Sequence, residues 1–217
     1  MKKFFFTLCV ALAALPMLAQ TPYACLTKGA VLEYATYDES DNVTYDRQVI
    51  QEVNDLGDGN YDFRIAISDI EKPGQEDEGS GVMLTAGEVR NGGVKVSVSG
   101  MEGSIDVTGS DPELCIVPSK LAVGYQLPIG DMRVNVEGLA FVATITENDV
   151  IAREEVEVPA GKFKCYVIQQ TIEMNMMGVA AVTTTKTWYS RGVGAVKRES
   201  TMGSRIISRQ ELVTFKK

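Results

Sequence analysis

Apolar and polar residues alternate in segment after segment of this chain, the period-two signature of strands that lay one face on a core. Tyr61, Phe63, Ile65 and Ile67 alternate with Asp62, Arg64, Ala66 and Ser68. Val94, Val96 and Val98 alternate with Lys95, Ser97 and Ser99, and Val134 and Val136 with Arg133, Asn135 and Glu137. Val43, Tyr45, Val49 and Val53 keep the pattern more raggedly, around Arg47 and Gln51. From Val150 onward the pattern becomes a meander, with strands expected near 150–158, 163–175, 179–190, 194–201 and 205–215. Turn chemistry separates these runs at 38–42, 55–60, 91–93, 175–178, 191–192 and 202–203. The acidic, glycine-rich stretch 71–81 reads as an exposed loop. Helix is scarce: the best candidate is 110–117, with a polar cap, Asp-Pro-Glu in its first turn and Pro118 to end it. The predicted fold is mainly β, a single antiparallel curved sheet or half-barrel with at most one or two short helices.

The stretch VPAGKFKCY (158–166) tests whether a Gly-Lys pair means phosphate binding. A phosphate loop ends in Gly-Lys-Ser/Thr and opens a helix, whereas here Lys162 is followed by Phe163 and an alternating strand. Pro159-Ala160-Gly161 instead suits a three-residue hairpin loop, with Gly161 at a left-handed site. No cofactor motif is found elsewhere.

The first twenty residues, MKKFFFTLCVALAALPMLAQ, have the parts of a secretory signal: basic Lys2 and Lys3, an apolar run of about a dozen residues, and a break with a small residue. Cleavage is expected at Ala19 or Gln20, which leaves residues 1–19 as the signal and 20–217 as one β-rich domain, exported to the periplasm or cell surface. Neither Cys9 nor Cys25 follows the Leu-small-small triplet of a lipid acceptor. No later stretch offers the roughly 18 unbroken apolar residues of a membrane helix.

Loss of Lys2 and Lys3 lowers Lys+Arg from 21 to 19 against 29 Asp+Glu, moving the net charge from −8 to about −10. So acidic a chain is repelled by phosphate backbones, which argues against nucleic acid as a partner. Histidine is absent from the sequence, which removes Ser-His-Asp and Cys-His nucleophile systems and histidine-based zinc sites. Cys25, Cys115 and Cys165 remain after cleavage with no spacing that selects a pairing, and buried free thiols are the expectation.

Glu155 and Glu157 share one side of a strand, a spacing open to a glycosidase pair, but a solvent-facing strand explains them equally well. Asp38, Glu39 and Asp41, or Glu76, Asp77 and Glu78, are hard-oxygen candidates for calcium without the spaced pattern of a calcium loop. Met174 and Met176 continue the face of Tyr166, Ile168 and Ile172, and Trp188-Tyr189 ends a threonine-rich strand. Together Tyr166, Ile168, Ile172, Met174, Met176 and Trp188 form the candidate binding set for an apolar small molecule. Strand edges or loops that contact another envelope protein are the alternative.

Three stretches carry a resemblance: VPSKLAVGYQLPIGDM (117–132), the hairpin EEVEVPAGKFKCYV (154–167) and WYSRGVGAVKRE (188–199). In this order they resemble the TapB-like family of exported Gram-negative envelope proteins, and the last two are similar to a wider set of periplasmic domains of unknown function. The resemblance implies a half-barrel of the lipoprotein-carrier kind and supplies no catalytic residues. Tyr125 stands where a small acidic or polar residue is usual, and Gly130 interrupts the Leu-Pro-Asp run.

Overall fold

Asp41, Asp58 and Asn91 hold positive φ (59°, 52° and 51°), and each sits in a turn between two strands. Asp and Asn tolerate this region because their short polar side chains bond locally to the backbone. Asp38, at the head of the first of these turns, accepts from the Ser40 and Asn42 amides at 2.8 and 2.9 Å. Asn91 and Gly92 (φ 76°) form a two-residue turn with both central residues left-handed, the geometry that matches the twist of a hairpin.

The computed structural model describes residues 20–75, 82–97, 106–108, 114, 116–136, 139–176 and 179–217. Their strands are β1 (Val31–Asp38), β2 (Val43–Gly57), β3 (Asn60–Ile70), β4 (Met83–Arg90), β5 (Gly93–Ser97), β6 (Asp106–Thr108), β7 (Ile116–Val117), β8 (Gly130–Val136), β9 (Leu139–Val158), β10 (Gly161–Met176), β11 (Val179–Ser190), β12 (Gly194–Met202) and β13 (Arg205–Lys216). They form one antiparallel sheet in the order β6-β8-β9-β10-β11-β12-β13-β1-β2-β3-β4-β5-β7. β13 pairs with β1, so the two ends of the chain meet in the middle of the sheet and the meander of the second half joins that of the first. The sheet is open, with β6 at one end and β7 at the other.

Bulges explain where the sequence pattern is ragged. On β2, Ile50 pairs with Ile65 and Glu52 with Arg64, which leaves Gln51 as the extra residue. Ile50 and Val53 therefore face the same side three residues apart, opposite Ile65 and Phe63. This corrects the phase read from Val43, Tyr45 and Val49: Val43 is exposed, Tyr45 and Val49 are half-buried, and the buried position is Ile50. Phe63 lies opposite Gly87, where an added Cβ would collide with its ring, so the glycine is a seat for the aromatic.

Two further expectations are corrected and a third is refined. Ile116–Val117 extends as β7 against Lys95 and Val94 rather than ending a helix; of 110–115 only Leu114, a buried residue, is described. Val158 pairs directly with Gly161, so the hairpin loop has two residues, Pro159 and Ala160, and Gly161 opens β10 at φ 132°. Residues 71–74 are the exposed loop expected, but the loop is pinned and Gln75 is half-buried: Gly74 N–H donates to Glu33 Oε2 at 3.0 Å and Arg47 Nη1 donates to the Gln75 carbonyl at 3.1 Å. Residues 76–81 lie outside the described residues.

Glu33 is the most buried charge described, 1 % exposed, and its other oxygen meets Arg47 at 3.3 Å. A buried carboxylate persists only when charge and hydrogen bonds both answer it. Glu33→Gln should cost about 1–3 kcal/mol in urea denaturation, the cost of loosening hydrogen bonds to a buried charged group. It should also raise proteolysis at the pinned loop.

The sheet coils. The Ala160 amide, at the tip of the β9–β10 hairpin, donates to the Leu212 carbonyl of β13 at 3.1 Å, although β10, β11 and β12 lie between in sheet order. Val158, Cys165, Val167, Trp188, Val196 and Leu212 are buried in the core cluster around this end.

Candidate ligand-binding site

The coiled sheet encloses a cavity of about 440 Å³. Leu32 and Tyr34 of β1, Gln48 and Ile50 of β2, and Phe63 and Ile65 of β3 line it through consecutive inward positions. Val94 of β5, Val117 of β7 and Tyr189 of β11 complete it, although β7 and β11 are far apart in sheet order. A second cavity of about 210 Å³ shares Val117 and Tyr189 and continues past Ile145, Ile168, Gln170 and Leu127. Strands near both ends of the sheet thus face one interior.

A strap made of residues 20–26 crosses this interior. Tyr23, Ala24 and Cys25 are buried and line the larger cavity. Arg191 holds the strap, donating to the Thr21 carbonyl at 2.6 Å and to Gln20 Oε1 at 2.9 Å, while its guanidinium lies 4.5 Å from the centre of the Tyr23 ring. The Gly192 amide adds a bond to the Pro22 carbonyl at 2.8 Å. Gly124, Gly192 and Gly194 all take positive φ.

The cavity wall is polar on one side. Tyr34 Oη donates to the Ala195 carbonyl at 2.9 Å, and burial, helped by nearby Asp46, pushes its phenol pKa far up. Burial likewise raises Tyr189, with the Arg198 guanidinium opposing the rise. Asp46 accepts from Gln48 Nε2 at 3.1 Å and Gln210 Nε2 at 3.4 Å; burial lifts its carboxyl above the usual range, against the pull of the Gln48 bond. Thr85 Oγ1, on β4, and Tyr23 Oη, on the strap, are buried in the cavity lining without a hydrogen-bond partner among the described residues.

The six residues of the candidate set do not share one site. Ile168 lines the smaller cavity. Tyr166 lies beyond the strap in an open groove, edge-on to Tyr23 with ring centres 6.4 Å apart and under the Arg153 guanidinium. Ile172 and Met174 are half-buried and line neither cavity, and the side chain of Met176 lies outside the described residues. Trp188 pairs in register with Val167 and Lys197 and so stands on the opposite face from Tyr189. Its indole N–H donates to Glu154 at 2.6 Å, and the Lys197 ammonium lies 4.9 Å from the ring centre.

Glu155 and Glu157 are both exposed, and Glu157 meets Lys162 at 3.4 Å. Glu39 pairs with Arg205 at 3.1 Å, and among the described residues no three His, Cys, Asp or Glu side chains converge as a metal site. Cys25 and Cys165 are buried free thiols; burial, with Glu154 adding to it, pushes Cys165 up to about 12. Cys115 lies outside the described residues, as do Glu76, Asp77 and Glu78. The part of the inward lining on β3 and β5 was visible in the sequence as the face of Phe63, Ile65 and Val94, whereas that on β1 and β2 was not. Arg191 and the strap had no local signal, being 170 residues apart.

An open antiparallel sheet rolled around a lined interior, closed on one side by its own leading segment, is the class of protein this geometry defines. The chain belongs to the DUF3108-like family, whose model matches residues 27–212. No curated protein matches the sequence. Among solved structures it is similar to a presumed exported protein with YmcC-like fold from Bacteroides fragilis NCTC 9343, at 12 % identity and TM-score 0.68, over 91 % of this chain and 100 % of that one. It is also similar to a presumed lipoprotein from Parabacteroides distasonis ATCC 8503, at 17 % identity and TM-score 0.69, over 90 % of this chain and 99 % of that one. At these identities the likeness is one of fold.

Proposed function

We propose that this chain is an exported, non-catalytic protein of the cell envelope that carries an apolar small molecule inside its rolled sheet. The observation that carries the reading is the 440 Å³ cavity, within the range of about 300–1,000 Å³ typical of ligand sites. The expected signal at 1–19, the export and lipoprotein descriptions of the two structural neighbours, and the resemblance of three stretches to TapB-like proteins all support an envelope location, periplasmic or at the cell surface. Residues 20–217 act as a single domain in this reading. Among the described residues no helix is long and apolar enough to cross a membrane.

Cys25 is a poor lipid acceptor. Its side chain is buried, and cleavage just before it would remove Gln20, Thr21 and Pro22, the residues that Arg191 and Gly192 hold. Protein purified from its native envelope and extracted with organic solvent should release an apolar compound by mass spectrometry. The emptied protein should then bind the fluorescent probe N-phenyl-1-naphthylamine saturably. A protein that yields no compound and takes up no probe would end the reading.

An assembly role is the second reading, and one surface favours it. Val123, Tyr125 and Ile129 are exposed on a loop whose backbone is tied to β9, Gly124 N–H to Val150 at 2.8 Å and Leu127 N–H to Asn148 at 2.7 Å. A protein recovered in fixed stoichiometry with the chain, and lost on Tyr125→Ser, would support that role instead.

A further inference from the structure

The cavity's two walls differ, and the difference names a ligand class; the argument rests on the carrier reading above. Arg198, Gln210, Tyr34 and Gln48 come from four strands adjacent in the sheet, β12, β13, β1 and β2, and all line the cavity. The facing wall, from β3 to β5, supplies Phe63, Ile65, Ile67, Val94 and Val96. We propose that the cavity holds a single hydrocarbon chain ending in a monoanionic head group, carboxylate or phosphodiester, with the chain on the apolar wall and the head at Arg198.

Arg198 is the cation of this lining, and it keeps access to solvent. Among the described residues no carboxylate lies within ion-pair distance of its guanidinium; Tyr189 and Tyr34 are its uncharged neighbours. Asp46 is the acidic group nearest in effect, and Asp69 pairs with Asp46 in register on β3. Asp46 already takes amide bonds on both oxygens, from Gln48 and Gln210. Beside its contact with the Tyr189 hydroxyl, the guanidinium keeps N–H groups at the cavity lining with capacity for an oxyanion, which it binds best in bidentate geometry. Thr85, on β4 of the facing wall, and Tyr23, on the strap, hold unpartnered hydroxyls in the lining of the same cavity, as expected where an occupant or its water would complete them. A cavity of 440 Å³ at the lower end of the ligand range fits one chain rather than a two-chain lipid.

Displacement of N-phenyl-1-naphthylamine by myristate, by myristoyl lysophosphatidylglycerol and by tetradecanol, all below micellar concentration, tests this directly. At least one of the two anions should bind ten-fold or more tighter than the alcohol. Whichever anion is the stronger identifies the source, free fatty acid or membrane phospholipid. Arg198→Gln should erase the anion preference while probe and alcohol bind as before, and Arg198→Lys should restore part of it. Equal binding of alcohol and anions by the unaltered protein, or an Arg198→Gln variant with its preference intact, overturns the head-group assignment alone. Failure of the probe to bind at all overturns the cavity reading beneath it.

Discussion

Alanine at Trp188 is expected to remove about 3–5 kcal/mol of stability, the range for truncating a large buried aromatic. That is a large part of the roughly 5–15 kcal/mol that holds a typical domain folded. The indole is 7 % exposed, in the coil that the β9–β10 hairpin makes against β13. It combines apolar burial with a charge-assisted bond to Glu154 at 2.6 Å and a cation lying over the ring. Urea denaturation followed by far-UV circular dichroism measures the loss, since Trp188 is the only tryptophan and its own fluorescence goes with it. The sharper comparison is Trp188→Phe, which keeps an aromatic ring, though a smaller one, and loses the N–H. Its stability should fall by less, and its affinity for N-phenyl-1-naphthylamine should stay within two-fold of the unaltered protein. A ligand-stacking tryptophan would behave the other way round, with stability kept and binding lost.

The placement of Trp188 shows what period-two reasoning can and cannot see. Alternation gave the strands of the second half within a few residues, because each element there is long and bounded by turn residues with a physical reason to turn. It also gave the inward face of Phe63 and Ile65. It failed on β2, where the extra residue Gln51 reverses the phase and carries Val43 to the surface. It could not sort the candidate set by face either, because Trp188 lies across from Val167 while Tyr166 and Ile168 point to the other side. Both faces of β10 are partly buried, Cys165 and Val167 on one and Ile168 on the other, so apolar content could not say which face was the interior. A filled core and a lined cavity demand the same alternation, and only the curl of the sheet separates them. The strap was out of reach for a further reason: its seat on Arg191 is made by residues from the two ends of the chain, and no local pattern encodes such a contact.

Buried acids that cannot ionise make the fold sensitive to alkali, and the sign follows from linkage. In the unfolded chain a thiol ionises near pH 8.5 and a phenol near pH 10. In the native state burial holds the Cys165 thiol up to about 12 and pushes Tyr34 and Tyr189 up as well. Below about pH 8 both states keep these protons, and stability does not depend on them. Above that, the unfolded chain releases protons that the native chain retains, so stability must fall with rising pH, by up to about 1.4 kcal/mol per unit for each such group. Cys165 acts first, because its unfolded pKa is the lowest of the three, and its 1 % exposure leaves little solvent screening. Urea midpoints measured from pH 7 to 11 should therefore hold steady to about pH 8 and then descend, steepening near pH 10 as the tyrosines join. Cys165→Ala should start from a lower stability at pH 7, having lost a buried side chain, yet descend less steeply between pH 9 and 10. Parallel curves for the two proteins over that interval would mean that the thiol ionises in the folded state, and that the coil between hairpin tip and β13 is open to water.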